Sequence, residues 1–445
     1  MAVIISLPED VKYILDIIIK AGYEAFAVGG CIRDHLLSRE PNDYDITTSA
    51  RPEEIKKLFR RTVDTGIKHG TVTVLLKDKS YEVTTYRIDG KYEDNRHPSS
   101  VSFTDSLKED LLRRDFTINA MAYNDIQGLM DPFGGQQDLK DKRIRCVGVP
   151  RERFSEDALR IMRAVRFSAQ LGYEIEEETL RAMKELAPNL KDVSAERIQV
   201  ELVKLVTSDH PEKLVVAYEQ GLTAVFLPEF DRIMETSQNH PHHAYSVGIH
   251  TIKAMQNVRN DKDLRLALLF HDMGKPLART VGEDGYDHFR GHPEFSEKIA
   301  LEVLRRLKFD NDTIKTVSRL AAMHDYKMEI SKKAVRHAMN KMGEGMLPLI
   351  LEIKHADTLA QSEYKREEKL EWIENIGKLY REIVDENEGI YIKDLVISGK
   401  DLLELGYPGN QRLGEELNRL LDMVLEDPSL NNREFLLKSA KEDLL

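Results

Sequence analysis

Cysteine is scarce in this chain of 445 residues: Cys31 and Cys146 are the only two. Two thiols build neither a disulfide framework nor a thiolate zinc site, so any metal chemistry must come from carboxylates and from the 14 histidines. Long apolar runs are missing as well. No stretch approaches the roughly 18 uninterrupted apolar residues of a membrane span. The opening MAVIISLPEDVKYILDIIIKAG carries Glu9, Asp10 and Lys12 where a secretory leader is apolar. The expectation is a cytoplasmic protein with no membrane partner. Internal repeats and low-complexity segments are also lacking, which disfavours fibrous and disordered classes.

What is present fits an ordered soluble chain of roughly two to four domains. Hydrophobic residues make up 41% and charged residues 32%, enough for substantial cores. The 65 Lys and Arg against 77 Asp and Glu give a net charge of −12, which on its face argues against nucleic acid as a partner. That number is a whole-chain sum, and local clusters decide the question.

The periodicity predicts an amphipathic helix over 7–21, with Ser6 as a cap and Val11, Leu15, Ile18 and Ile19 on one face. AFAVGG (25–30) reads as a strand meeting a glycine pair, and a helix begins at Cys31. NDYDITTSA (42–50) reads as a strand, Pro52 opens a helix through Phe59, and 70–87 reads as two strands around a turn at Lys77–Lys79. Helix signals dominate from Leu107 onward, interrupted at 128–148 by Pro132, Gly134 and Gly135 and a short strand after them. Residues 152–234 read as helical, broken near Gly172, Pro188, Pro211 and Pro228. Four blocks follow: an α/β head (1–148), a helical neck (149–235), a helical domain rich in His and Asp (236–360) and a helical tail (361–445).

Asp43 and Asp45 stand two apart in the predicted strand, so their carboxylates share a face. Like charges this close call for a cation, and Mg²⁺ accepts carboxylate oxygens while keeping sites for phosphates. A bare Asp-x-Asp also occurs on surface strands and turns. Glu82 supplies a third carboxylate if its strand lies next door. Gly29 and Gly30 end a strand where a helix starts, which leaves backbone N–H groups and space for an anion. Arg33 in the first helical turn suits a phosphate or ribose, with Asp34 as its orienter or as a cap. The glycine spacing matches neither a dinucleotide fingerprint nor a P-loop. Arg113, Arg114 and Asp115 follow in LLRRDFTINAMAYN, where one arginine can meet phosphate while the other forms an internal pair. EDALRIMRAVRF sets Asp157, Arg160, Arg163 and Arg166 at steps of three. On a helix they form one slowly rotating stripe, which makes sense facing an anion or else as a solvated face.

The strings VGGCIRD (28–34), DYDITT (43–48), RIDGKYEDNRHP (87–98), LLRRDFTINAMAY (111–123), EDALRIMRAVRF (156–167) and SAERIQVEL (194–202) together resemble one family. It is the class II polymerase-beta-like nucleotidyltransferases: the tRNA CCA-adding enzymes and the bacterial poly(A) polymerases. The resemblance implies an α+β fold, with a nucleotidyltransferase head, an all-helical neck and a helical tail. It implies Mg²⁺ on Asp43 and Asp45, with Glu82 as a third catalytic carboxylate, and nucleotide contacts from Gly29, Gly30, Arg33 and Arg114. Asp157 and Arg160 would face the base of CTP or ATP, Arg163 and Arg166 would support that face or the triphosphate, and Glu196 and Arg197 would lie in a supporting helix. The partners would be tRNA, CTP and ATP, and the chain a monomer or homodimer. In this family the loop matching RIDGKYEDNRHP helps switch from C to A addition, which favours full CCA addition over an enzyme that adds only CC; poly(A) or partial tail addition stays open as the alternative, because the two groups share these motifs.

His250, His271, Asp272, His292, His324 and Asp357 lie on separate predicted helices and can converge in a bundle interior, where a metal activates water against a phosphoester. The string HDMGK resembles the HD superfamily of metal-dependent phosphohydrolases. That resemblance makes His250, His271, Asp272 and Asp357 metal ligands, with His292 and His324 widening the site to two ions of Mg²⁺, Mn²⁺ or Ni²⁺. Lys275 would touch substrate phosphate, and His240, His242 and His243 would face solvent. The domain would cleave 2′,3′-cyclic phosphates or release phosphate from nucleotides, or else persist as a scaffold. In the tail, Lys393, Lys400, Arg412 and Arg419 are candidates for backbone phosphate contacts, near a turn at Gly406, Pro408 and Gly409.

Overall fold

The computed structural model describes residues 4–90, 101–242 and 244–444. Most of the loop string 87–98 therefore lies outside the described residues, as does His243. The chain divides into two compact units, Met1–Pro228 and Glu229–Leu445. No helix among the described residues is long and apolar enough to cross a membrane.

The first unit is built on a mixed sheet. In chain order its strands are β1 (Ala25–Val28), β2 (Asp45–Thr48), β3 (Thr62–Gly66), β4 (Thr71–Leu76) and β5 (Lys79–Thr85); then come a small separate pair, β6 (Arg87–Asp89) and β7 (Val101–Phe103), and finally β8 (Ala122–Asn124) and β9 (Gly128–Met130). The main sheet runs β3-β4-β5-β2-β1-β8-β9. All four residues of β1 are buried, as expected of a strand covered on both faces. β2 is antiparallel to β1 and parallel to β5, with Val28 opposite Asp45 and Ile46 opposite Val83. The end of β1, the start of β2 and the middle of β5 thus meet at one place. The edge strands β3 and β9 carry no sequence signal, because both are short and largely open to solvent.

Two local expectations change. The first helix spans Glu9–Lys20 with Pro8 at its cap, so Ser6 does not cap it; Glu9 and Asp10 suit its positive end instead. The strand predicted over 42–50 covers only 45–48, and Asp43 lies in the turn before it. Strand pleating alone therefore does not align the two aspartates.

The neck helices Leu159–Leu171 and Ala195–Val206 pack together. Leu159–Leu171 is buried on nearly every side and stops at Gly172, whose φ of 69° favours glycine. Inside this packing Arg166 meets Glu201 at 2.7 Å, with both side chains under a tenth exposed. The expected break at Pro228 falls between the helices Thr223–Phe226 and Pro228–Glu235.

The second unit is helical apart from the two-residue strands Thr280–Val281 and Asp287–His288. Helices Val247–Gln256, Lys262–Phe270, His292–Arg306, Asn311–Met323 and Met346–Ala360 pack around a shared interior. Gly274 sets one of these contacts: a Cβ there would lie 2.3 Å from the His292 carbonyl and 2.6 Å from the Ser296 nitrogen.

Glu201→Leu would leave the Arg166 guanidinium buried without its partner. Removing one member of a buried pair costs about 3–5 kcal/mol. Urea unfolding followed by circular dichroism should show a lower midpoint with little change in slope.

Candidate functional site

Two groups of residues carry the chemistry, one in each unit. In the first, the strand order brings Asp45, Glu82 and the glycine pair together. Glu82 sits on β5 opposite Thr73, one strand from Asp45. Partial burial, reinforced by the charges of Asp43 and Glu82, pushes the Asp45 carboxyl above its ordinary range against the pull of Arg114. Carboxylates that repel one another in this way suit a divalent cation, so the donor set fits the implied Mg²⁺. Cys31, beneath them, donates to the Val28 carbonyl at 3.4 Å, and burial pushes its thiol up to about 12, so it stays protonated.

Gly29 has a φ of 85° and precedes the short helix Gly30–Leu36. A Cβ on it would stand 3.0 Å from Nη1 of Arg114, so glycine is needed there for both conformation and space. Arg114 reaches this point because its neighbour turns elsewhere. Arg113 clamps Asp110 through Nε at 2.9 Å and Nη2 at 2.8 Å, whereas Arg114 is 3.7 Å from Asp110 and its Nε is buried without a hydrogen-bond partner. That orphaned donor beside a glycine turn is the kind of group an anion satisfies. Arg33 is braced by Asp34 at 2.9 Å and by Asn119 at 2.8 Å, and it stacks on Phe167. Asp34 is thus its orienter.

The arginine stripe is different from its sequence reading. Asp157 is not on the helix but in the junction before it, where it caps Leu159 and receives both terminal nitrogens of Arg197, at 3.2 and 2.7 Å. Each arginine has its own carboxylate: Arg160 meets Glu156 at 2.6 Å, Arg163 meets Asp115 at 2.5 Å and Arg166 meets Glu201. Three guanidiniums facing one shared anion is therefore incorrect as a description of this helix, because three of these acids come from other elements or the preceding turn. Arg197, on the helix expected to give support, holds Asp157. Glu156 was missed by sequence reasoning, although its i, i+4 spacing to Arg160 could have found it.

In the second unit the six predicted ligands converge. His250 Nε2 lies 2.7 Å from Asp357 and 3.6 Å from Asp272; His271 Nε2 lies 3.2 Å from Asp272 and 3.6 Å from Asp357. His292 and His324 reach the other Asp272 oxygen at 3.2 and 3.7 Å. His250, His271 and Asp272 form one group of mutually close ligand atoms, and Asp272, His292 and His324 form a second, so Asp272 belongs to both. Those are the groups of three or more found among the described residues.

The hydrogen bonds of the outer ring nitrogens show what the inner ones present. Nδ1 faces a backbone carbonyl in His250 (Ala360, 3.4 Å), His271 (Leu268, 2.6 Å), His292 (Phe289, 2.8 Å) and His324 (Ala321, 2.7 Å). A carbonyl only accepts, so Nδ1 carries the proton and a neutral ring offers its Nε2 lone pair inward. His292 and His324 then point lone pairs at each other across 3.1 Å. Two acceptors cannot bond to each other. A cation between them would resolve the conflict. Burial opposes a charged His271, yet Asp272 and Asp357 raise it to about 10, while burial drives His324 well below its ordinary value.

Lys275 lines the cavity over the cluster, with its ammonium buried, 2.7 Å from Asp272 and bonded to Gln238. His240 and His242 are half-buried and stacked on each other instead of facing solvent, and His242 lines the cavity beside Asp272. Gln361, missed in the sequence, donates to Asp357 at 2.8 Å. In the tail, Lys393 pairs with Glu344 and Arg419 with Glu416, while Lys400 and Arg412 are exposed.

Comparison with known proteins bears on both units. Residues 25–145 match the poly A polymerase head domain, 172–234 the family described as the probable RNA and SrmB-binding site of polymerase A, and 292–440 the family described as tRNA nucleotidyltransferase domain 2. The chain is 36% identical over 440 residues to a CCA-adding enzyme of Pediococcus pentosaceus, covering 98% of each protein. It is 35% identical over 441 residues to one from Streptococcus thermophilus, covering 97% of this chain and 96% of the relative. Among solved structures, the Bacillus stearothermophilus CCA-adding enzyme in complex with CTP aligns with a TM-score of 0.71 and 30% identity, covering 97% of this chain and 96% of that one. The Thermotoga maritima CCA-adding enzyme complexed with tRNA shares the fold at a TM-score of 0.60 and 20% identity. Identity of this extent, running from the carboxylates of β2 to the tail helices, makes the chain a member of the CCA-adding enzyme family of tRNA nucleotidyltransferases.

Proposed function

We infer that this chain adds CCA to the 3′ end of tRNA from CTP and ATP, releasing pyrophosphate, and that the head carboxylates carry the chemistry. The observation that carries this reading is the meeting of Asp45, Glu82, the Gly29–Gly30 turn and the unsatisfied Arg114 in a chain related to CCA-adding enzymes along its whole length. Asp43, Asp45 and Glu82 would hold Mg²⁺, which lowers the pKa of the attacking hydroxyl and offsets charge on the α-phosphate. Arg114 and Arg33 take the triphosphate oxygens, and the missing side chains at Gly29 and Gly30 let those oxygens approach the backbone. Arg197 holds Asp157, and Glu156 holds Arg160, so the pair can present an acceptor and donors to a base edge, with Arg163 and Arg166 fixing the helix behind them.

A second activity is favoured by the histidine cluster. Inward-facing Nε2 atoms on four imidazoles, with Asp272 shared between two ligand groups, fit two divalent ions such as Mg²⁺, Mn²⁺ or Ni²⁺, and such a pair would activate water against a phosphoester. Asp357 completes the first group, and Lys275 steadies Asp272.

Two experiments test these readings. With tRNA lacking its terminal nucleotides and CTP and ATP supplied singly and together, the product should grow by CCA and stop. Asp43→Asn with Asp45→Asn should lower incorporation by about 10³-fold or more, as loss of metal-held charge stabilisation does. Homopolymeric A tails would instead indicate a poly(A) polymerase. For the second unit, Mn²⁺ at about 100 times its Kd should stabilise folding by about 2.7 kcal/mol. Calorimetry should record that shift in the parent chain and not in His271→Ala with Asp272→Ala, which should also lose phosphate release from phosphoesters.

A further inference from the structure

The cavity over the histidine cluster does not end there. A space of about 400 Å³ lies against Asp272, His292 and Lys275. It shares His324, Asp325, Lys327, Asp357, Gln361 and Lys369 with a second space of about 440 Å³. The second space leads away from the ligands to a wall of different character, made by Met328, Trp372 and Ile373. Trp372, on the helix Arg366–Asp385, is fixed in place because its indole N–H donates to the Met328 carbonyl at 3.1 Å. Lys354, one turn before Asp357, stands with its ammonium 5.4 Å from the indole centroid. It forms no ion pair among the described residues, and neither does Lys327 at the junction of the two spaces.

A simple phosphate would fill only the first space. The second combines a clamped indole, two thioether or aliphatic walls and a lysine held in no ion pair among the described residues. That combination matches a flat heteroaromatic ring with polar edges, attached to an anion that reaches the metal-ligand cluster. We propose that the second space is a nucleobase seat, with Trp372 as its stacking wall, so that the phosphoester taken by the histidine cluster is a ribonucleotide phosphate. Lys327 and Lys369 flank the phosphate between the two spaces, and Lys354 meets the base edge or the ribose. The same chemistry occurs in a free nucleotide and in the 3′-terminal nucleotide of an RNA. The proposal rests on the hydrolase reading for its reaction, but the seat itself is a matter of binding.

The chain contains one tryptophan, so its emission reports on this wall alone. The full-length protein with Mn²⁺ would be titrated with adenosine 3′-monophosphate, with a short RNA bearing a 3′-phosphate, and with inorganic phosphate. The nucleotide should quench emission saturably and inorganic phosphate should not; tighter quenching by the RNA would identify a strand end as the source. In steady-state assays Trp372→Ala should raise KM for the nucleotide about tenfold, as loss of one stacked base does, and move KM for β-glycerophosphate by less than about twofold. Trp372→Phe should retain most of the nucleotide affinity. Absence of quenching overturns the seat, whatever the hydrolysis assay shows. Equal loss for both substrates, or equal loss in the Phe and Ala variants, also overturns it and assigns Trp372 to the fold. Quenching without phosphate release from any ester keeps the seat and overturns the hydrolase reading.

Discussion

The catalytic unit depends on carboxylates buried where the sheet meets the neck. Asp115 is the central one. It receives Arg163 from the neck helix, the Phe116 backbone N–H and the Asn119 amide, and these hold its carboxyl well below the usual range although burial acts the other way. Asn119 uses its oxygen to bind Arg33, which leans on Asp34. One connected set of hydrogen bonds therefore runs from the neck helix to the helix that opens at the glycine turn. A buried ion pair adds little net stability over an apolar equivalent, but breaking it is costly, so its main effect is to fix one geometry. Here the geometry is that of the arginine beside Gly30.

The same logic explains which parts of the site could be read from the residues. Asp45, Glu82 and the glycine pair were legible because their meeting needs only strand order, and the strings around them are short-range patterns. The converging histidines were legible for a related reason: imidazoles and acids spread over five apolar helices have few other uses. The Arg160–Arg163–Arg166 stripe was misread because a periodicity argument sees only one helix. Asp115 and Glu201, its true partners, lie 48 and 35 positions away, at a distance no spacing rule reaches. Strands β3 and β9 were missed because pairing at a sheet edge places little demand on composition.

The two groups of candidate ligands differ in their donors for a physical reason. The head carboxylates remain reachable from solvent, where oxygen ligands would hold a hard ion loosely enough to share it with a triphosphate. At the second site the imidazoles are buried and locked by carbonyls, and those of His292 and His324 turn their lone pairs toward each other. Such a cluster is frustrated unless a cation sits within it. Its donors would suit a resident ion, whereas those of the head would suit one that arrives with the nucleotide.

The charge of −12 takes on a different meaning once partners are assigned. Much of the acid excess coexists with arginines that are already neutralised: Arg113, Arg160, Arg163, Arg166 and Arg197 each hold an acid within the first unit. Counting arginines near the nucleotide motifs thus overstates the cations offered to phosphate. The guanidinium that stands out is Arg114, whose carboxylate is 3.7 Å away and whose Nε lacks a partner. A substrate phosphate at the glycine turn would meet one strongly directed donor set and few diffuse charges. Selectivity would then follow from shape and position, since non-specific attraction to RNA scales with the number of unpaired cations along the backbone. An acidic chain with most arginines engaged internally is suited to releasing bulk RNA while retaining a strand end placed correctly at the carboxylates.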